Sequence, residues 1–230
     1  EVVYTDEIMR SEREARSANE AKTRFLFNMS HDIRTPMNAI IGFADLIKKN
    51  MNDPDKVRDY IEKIQSSSTL LLSIINHVLE MARIESGEVT LSEQVGNIQE
   101  LVTSIETVFE PTIQKKKLIC SYEANVEHEY VICDETKVRE IFLNIIGNAV
   151  KYTEQGGNIR VSVTEFPDHE QKIATYRIVV KDNGSGMSEE YLPHIFETFS
   201  REHSSTEVRV EGTGLGLPIV KSFLDLMGGT

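Results

Sequence analysis

The sequence predicts two architectures in one chain, an antiparallel helical hairpin followed by an α+β domain. The first observation is a stripe of apolar and small residues at helical spacing that runs from Ile8 to Ile47. The second is another such stripe from Val57 to Ala82, which follows a turn rich in Asn, Asp and Pro. The third is a change after Gly87 to a mixture of strands and helices.

The first helix of the hairpin opens with residues 1–24, a charged and alanine-rich segment typical of a linker helix or coiled coil. Pro36 lies farther along it, where a proline inside a helix costs about 3 kcal/mol. A second helix could start there, with Thr35 as its N-cap. Because the apolar stripe keeps its phase from Met29 to Ile40, we expect one continuous, bent helix.

The second helix of the hairpin has an apolar face wider than a narrow seam, with Tyr60, Leu72 and Leu79 extending it. Two antiparallel helices cannot cover that much apolar surface by themselves. A second copy of the hairpin, residues 25–87, would cover it, and we therefore expect a dimeric four-helix bundle. Gly87 is placed to end the helix as its C′ residue.

Residues 88–230 are predicted to form one α+β domain. The elements that we expect are a short strand near 88–91, a helix at about 96–114, strands near 118–123 and 130–132, a helix opened by Asp134, strands at 159–166 and 172–181, and a last helix from about Gly214.

The composition excludes several classes of protein. The 230 residues include 37 acidic and 25 basic side chains, a net charge of −12, which argues against a nucleic-acid-binding surface. Cys120 and Cys133 form neither a CxxC pair nor a cluster with histidines, so we expect two reduced cysteines in a cytosolic core. No apolar run approaches the ~18 to 20 residues of a spanning helix. Since the chain does not begin with Met, we expect an excised cytoplasmic piece, compatible with a membrane tether elsewhere in a longer parent protein.

A polar arc lies on the helix that Asp134 opens. Glu140, Asn144, Asn148 and Lys151 follow one another at steps of four, four and three, which places them on one face. Amide oxygens suit a hard cation such as Mg²⁺, and an ammonium suits phosphate. The alternative is an ordinary solvated helix face.

Two glycine clusters follow. Asp182 ends a strand and precedes Gly184 and Gly186, so its carboxylate could accept a hydrogen bond from the exocyclic amine of an adenine lying against the glycines. Taken alone, this stretch is also an ordinary turn sequence. Farther on, a GxGxG run at 212–216 leads into a helix, whose N-terminal N–H groups suit phosphate. Its spacing is neither that of a Rossmann turn nor that of a P-loop. Residues 194–212 between the clusters begin with a Phe-x-x-Phe motif, Phe196 and Phe199, and suit a lid over a ligand, or a plain surface loop.

Together with the stretch SHDIRTP at residues 30–36, these motifs stand in the order of the H, N, G1, F and G2 boxes, and the chain resembles the sensor histidine kinases over essentially its whole length. The resemblance implies a dimerisation and histidine-phosphotransfer hairpin at 25–87 and a catalytic ATP-binding domain of the Bergerat α/β-sandwich type at 88–230. Members of this family continue past the final glycines into a further pair of strands, so we expect the catalytic domain to be truncated at Thr230.

The resemblance also implies roles for individual residues. His31 would be the phosphoacceptor, Asp32 its acidic partner, and Thr35 the residue linked to dephosphorylation of the partner protein. Asn148, with Asn144 and Glu140, would serve Mg²⁺. The residues implied in binding ATP are Asn144, Asn148, Lys151, Tyr152, Asp182, Gly184, Gly186, Arg201, Gly212, Thr213, Gly214, Leu215 and Gly216.

The activity that the resemblance implies is autophosphorylation of His31 by Mg·ATP, followed by transfer of the phosphoryl group to an aspartate on a separate response-regulator receiver domain. The alternative is a catalytically weak, ATP-binding dimeric signalling scaffold. An ATPase of the chaperone or mismatch-repair type would have no use for the hairpin. We assign no chemistry to the other histidines, which are His77, His128, His169, His194 and His203.

Overall fold

The computed structural model describes residues 2–171, 173–198, 200 and 214–230. The chain divides into two compact units, Glu1–Ala82 and Arg83–Thr230. No helix among the described residues is both long enough and apolar enough to cross a membrane.

The first unit is a hairpin of two helices, α1 (Val2–Lys49) and α2 (Pro54–Glu85). Pro36 is buried inside α1, which confirms one continuous helix rather than two. The turn ends at Asp53, whose Oδ1 accepts a hydrogen bond from the Lys56 backbone N–H at 3.2 Å. This is the N-cap interaction that satisfies an otherwise unpaired donor in the first turn of α2.

The pairing of α1 with α2 is fixed by an aromatic contact near the turn. The ring of Phe43 stacks on that of Tyr60 with centroids 6.0 Å apart, and Lys63 Nζ lies 5.5 Å from the Phe43 centroid. Both helices rise by about 1.5 Å per residue, so residues fourteen positions farther from the turn lie level with each other. Those residues are Met29 and Ile74, and both are buried.

The second unit contains five strands and three helices among its described residues, joined by turns and a short 3-10 turn at Leu192–His194. In chain order they are β1 (Gln94–Asn97), α3 (Ile98–Lys116), β2 (Ile119–Asn125), β3 (Tyr130–Cys133), α4 (Glu135–Tyr152), β4 (Asn158–Asp168), β5 (Ile173–Asp182) and α5 (Gly216–Leu226).

The strands form two sheets. β1 and β3 make a two-stranded antiparallel ribbon, and the larger sheet has the order β2-β4-β5, with β2 parallel and β5 antiparallel to β4. The strand predicted at 88–91 was wrong, since the first strand begins at Gln94. Before it, the Ser92 backbone N–H donates to Asp134 Oδ2 at 2.9 Å, so a side chain rather than a strand partner holds this segment.

The core of the second unit lies between the larger sheet and the helices α3 and α4. β4 alternates as a half-buried strand should, with Ile159, Val161 and Val163 turned inward. Phe142 and Ile146 of α4 pack in the same cluster. The N-cap of α4 is Asp134, as predicted, because its Oδ1 accepts from the Lys137 N–H at 3.1 Å. This core sets the position of the polar face of α4.

Candidate functional site

His31 stands on the exposed side of α1. Its side chain is 70% exposed, whereas that of Asp32 is 17% exposed, and His31 Nδ1 lies 3.4 Å from Asp32 Oδ1. A proton on Nδ1 points to the carboxylate in this arrangement, which leaves the lone pair on Nε2. The pair therefore favours the tautomer in which the solvent-facing nitrogen is a nucleophile.

Thr35 and Pro36 shape the backbone one turn after His31. The Thr35 hydroxyl donates to the His31 carbonyl oxygen at 3.1 Å. Pro36 has no N–H for the carbonyl of Asp32, so the helix lacks one of its regular hydrogen bonds at this turn. Thr35 is exposed and Pro36 is buried. His31, Asp32 and Thr35 thus meet within one turn, above a proline that faces the interior of the hairpin.

In the second unit, the polar arc predicted on α4 lies opposite its buried face. Glu140, Asn144, Asn148 and Lys151 are all partly exposed, whereas residues such as Ile146 are fully buried. Because these four side chains follow the helical repeat, Asn148 lies one turn from Asn144 and about one turn from Lys151. The arc presents two amides between a carboxylate and an ammonium.

The start of α5 closes against one end of this arc. Asn144 Nδ2 donates to the carbonyl of Glu140 at 2.9 Å, and a Cβ at Gly216 would lie only 2.6 Å from Asn144 Oδ1. A side chain at position 216 is therefore excluded. Gly214 has φ 66°, a left-handed conformation that favours glycine, and Leu215 is fully buried. The glycine run therefore brings the N-terminus of α5 beside Asn144.

Residues 182–186, called the Asp182 loop below, contact the other end of the arc. Asp182 Oδ1 accepts from the Gly184 N–H at 2.9 Å, and the Ser185 N–H donates to the Tyr152 carbonyl at 3.3 Å. A Cβ at Gly184 would lie 2.6 Å from that same carbonyl oxygen. Gly186 follows with φ 68°. The loop can therefore approach the last turn of α4 only because residue 184 is a glycine.

Lys151 and Tyr152 lie at the end of α4 that the Asp182 loop contacts. Lys151 Nζ is 4.8 Å from the centroid of the Tyr152 ring, which is 42% exposed. The structure thus brings together the α4 arc, the Asp182 loop and the start of α5. Arg201, Gly212 and Thr213 lie outside the described residues.

Two family models match the chain. Residues 21–87 match the His Kinase A (phospho-acceptor) domain, and residues 133–230 match the histidine kinase-, DNA gyrase B- and HSP90-like ATPase. The chain belongs to the sensor histidine kinases. The hairpin and the α/β sheet unit are the two parts of the fold that these kinases share, as the sequence predicted.

The kinase is similar to longer proteins. It is 32% identical to the sensory/regulatory protein RpfC of Xanthomonas campestris pv. campestris, an alignment that covers 99% of this chain and 32% of RpfC. Full-length ShkA, solved in complex with AMPPNP, is 28% identical with a TM-score of 0.62, covering 90% of this chain and 42% of ShkA. Histidine kinase ThkA, solved in complex with the response regulator TrrA, is 25% identical with a TM-score of 0.63, covering 83% of this chain and 54% of ThkA. The chain thus spans about a third of the length of RpfC.

The donors on α4 of this kinase fit Mg²⁺ better than a softer metal. The described residues contain no group of three His, Cys, Asp or Glu side chains that could hold a metal ion. Mg²⁺ retains waters and is commonly held by one or two protein ligands together with substrate phosphates, so the amides of Asn144 and Asn148 suit it. Glu140 Oε2 lies 3.8 Å from Lys137 Nζ, an ion pair that competes for this carboxylate.

Sequence reasoning missed two groups in the second unit of the kinase. One is Lys116, whose ammonium reaches the end of α4. The other is the pair of His128 and Glu165, in which His128 Nδ1 lies 2.7 Å from Glu165 Oε1. Both contacts join residues more than thirty positions apart in the chain. A polar residue inside the β4 pattern, Glu165, was the only available signal for the second group.

Proposed function

We propose that this kinase transfers the γ-phosphoryl group of Mg·ATP to His31 and then to an aspartate on a response-regulator receiver domain. The observation that carries the proposal is the exposed imidazole of His31, with Nδ1 beside the carboxylate of Asp32. A nucleophile of this kind needs a fixed tautomer with a free ring nitrogen, and an adjacent carboxylate that accepts the Nδ1 proton supplies it.

In the proposed reaction, the Nε2 lone pair of His31 attacks the γ-phosphorus while the bond to the oxygen of ADP breaks on the opposite side. Positive charge develops on the imidazole as the N–P bond forms. Asp32 stabilises that charge through the proton on Nδ1, which remains in the hydrogen bond. Bound Mg²⁺ would offset the negative charge of the phosphates, and Asn144 and Asn148 would hold it.

The nucleotide would bind along α4 of the second unit. The remaining carboxylate oxygen of Asp182 is available to the exocyclic amine of adenine, since Oδ1 already accepts from the Gly184 N–H. Lys151 would pair with phosphate and the Tyr152 ring would contact the base. At the other end, the backbone of residues 214–216 and the N-terminus of α5 suit phosphate oxygens. Arg201, Gly212 and Thr213 are proposed to complete the phosphate side.

We also propose that the kinase works as a homodimer joined through the hairpin. Exposed apolar side chains share one face of α2, and they are Ile61, Leu72, Ile75 and Leu79. Leu72 and Leu79 are 59% and 57% exposed, which is unfavourable for leucines in water. A second hairpin would cover this face and complete a four-helix bundle.

The receiver domain is proposed as a further partner because ThkA was solved in complex with a response regulator. Thr35 is suited to the reverse reaction on that partner, since its exposed hydroxyl lies one turn beyond His31 and could orient a water molecule. Because ATP is the substrate, we place the kinase in the cytoplasm. A membrane tether in a longer parent protein is a separate proposal, which fractionation of that protein tests.

The test is incubation with Mg²⁺ and γ-labelled ATP, followed by acid and alkali. We expect a label that acid removes and alkali leaves, as a phosphohistidine requires, and that moves to a receiver domain on mixing. His31→Gln should abolish it, while the matched variant His169→Gln, an exposed histidine in the second unit, should keep it. ATP binding without label would favour the scaffold alternative and contradict the proposal.

A further inference from the structure

Lys116, the last residue of α3, reaches the C-terminal end of α4. Its Nζ donates to the carbonyl oxygens of Val150, Lys151 and Thr153 at 2.8, 3.1 and 2.9 Å. An ammonium has three donors, and all three are engaged here. Carbonyls in the last turn of a helix have no N–H partner within the helix, so a cation is favourable there for its hydrogen bonds and for the helix dipole.

The backbone of Lys116 holds the same region from the other side. The Gly156 N–H donates to the Lys116 carbonyl at 3.0 Å, and the Ile119 N–H donates to the Gly157 carbonyl at 2.9 Å. Lys117 adopts φ 52°, which turns the chain from α3 into β2. Side chain and backbone of Lys116 therefore fix both the end of α4 and the turn that leads into β4.

The segment that Lys116 holds is the one that the Asp182 loop contacts. Lys116 binds the carbonyls on both sides of Tyr152, and the Tyr152 carbonyl accepts the N–H of Ser185. Gly184 packs against the same oxygen. A shift of this peptide would move the loop as well as the side chains of Lys151 and Tyr152.

We propose that Lys116 is a positioning residue for the nucleotide. It contacts no substrate in this account. It fixes the last turn of α4, and through the Tyr152 carbonyl it fixes the loop that presents Asp182 to the base. The inference rests on the proposed ATP site and assigns to α3 a part in that site. Charge-assisted hydrogen bonds are stronger than neutral ones, so three of them hold the turn more rigidly than a solvated helix end.

The test compares Lys116→Met, which keeps the length of the side chain and loses the donors, with Lys116→Arg, which keeps donors. Lys115→Met is the matched control, an exposed lysine on the same turn of α3. At a temperature where each variant remains folded, we expect Lys116→Met to weaken ATP binding at least tenfold. We expect Lys116→Arg to recover most of the affinity and Lys115→Met to leave it unchanged.

Two further readouts separate positioning from a purely structural cap. With ATP at saturation, the phosphorylation rate of Lys116→Met should stay within about threefold of the unaltered protein, so that the loss appears in KM rather than in kcat. Without nucleotide, the amide of Ser185 should exchange with solvent faster in Lys116→Met and at the normal rate in Lys115→Met.

If Lys116→Met is less stable yet binds ATP with unchanged affinity, Lys116 is only a helix cap and the inference is overturned. Should Lys116→Met fail to fold, Lys116→Gln takes its place, because its side chain is one atom shorter and its neutral amide has only two N–H donors for the three carbonyls. An affinity equal to that of the unaltered protein would overturn the inference in the same way. A failure of the unaltered protein to bind ATP would overturn the proposed function itself, so the two failures are distinguishable.

Discussion

The two units of this kinase are stabilised in different ways. In the α/β unit, Ile146, Leu215 and Phe223 have no exposed surface, and sheet and helices enclose a common core. In the hairpin, Leu72 and Leu79 leave more than half of their surface in water. The α/β unit therefore contains the core that it needs, whereas the hairpin leaves apolar surface exposed that the proposed second copy would cover.

The same difference extends to the chemistry. The hairpin offers one exposed histidine whose contacts come from its own helix, within four residues along the chain. The proposed nucleotide site combines α4, the Asp182 loop and the start of α5, which packing must bring together. A reactive group that must meet a second protein benefits from exposure, and a ligand site benefits from a rigid support.

The largest expected effect comes from a substitution in the core of the α/β unit. Phe142→Ala removes a side chain that is 2% exposed, and we expect a loss of about 3 to 5 kcal/mol in the free energy of unfolding of that unit. Val95→Ala, at 72% exposure, should change it by less than about 0.5 kcal/mol. Urea titration followed by circular dichroism measures both, and equal losses would contradict a core of this kind.

The second effect concerns the apolar face of the hairpin. Leu72→Glu places a charge in the proposed dimer interface, and we expect the dimer dissociation constant to rise at least tenfold, about 1.4 kcal/mol. Sedimentation equilibrium measures the constant. Ser66→Glu, on the exposed polar side of α2, is the control and should leave it unchanged. Equal dissociation constants for the two variants would show that this face is not the interface.

Smaller effects come from His77, the half-buried histidine of the hairpin. Burial lowers the pKa of His77 from its usual 6.5, and its buried Nδ1 has no hydrogen-bond partner among the described residues. The unfolded chain therefore binds the proton at a higher pH than the folded chain does. The contribution of neutral His77 to the free energy of unfolding is complete above pH 6.5 and is lost as the pH falls from 6.5 through the lowered pKa. His77→Leu should remove this acid loss, as thermal melts between pH 5 and 8 would detect. If His77→Leu loses as much stability at acid pH as the unaltered protein, burial of His77 is not its cause.

His128 in the α/β unit should behave in the opposite sense. A hydrogen bond to Glu165 raises the pKa of His128 above 6.5, so its contribution is full below pH 6.5 and is lost as the pH rises through the raised value. Burial opposes ionisation of Glu165, but hydrogen bonds from His128 and from the Glu127 N–H outweigh it and lower its pKa below 4.5. In His128→Gln, the free energy of unfolding should decline less as the pH rises above 6.5. A decline of the same slope in His128→Gln would assign it to other groups.

Local signals in the sequence predicted most of the fold. The phase of the apolar stripe predicted an unbroken helix across Pro36, and the Asp134 cap predicted the start of α4. The strand expected at 88–91 was wrong because apolar alternation there is short, and a hydrogen bond to Asp134 holds the segment instead.

The parts of the candidate site that could be predicted from the sequence are those that follow a local repeat or a short motif. The α4 arc repeats with the helix, so its residues could be placed on one face from the sequence. The contacts of Lys116 with the end of α4 and of Glu165 with His128 depend on how distant elements pack. No spacing rule in one sequence encodes them, because the partners are backbone carbonyls or lie on other strands.

The central claim is that the hairpin receives the phosphoryl group and the α/β unit binds the nucleotide. One paired measurement tests it most directly, in which ATP affinity and acid-labile label are determined on the same samples of His31→Gln and Asp182→Asn. We expect His31→Gln to bind ATP normally and to carry no label, and Asp182→Asn to lose at least tenfold in affinity. Label on His31→Gln, or unchanged affinity in Asp182→Asn, would contradict the account.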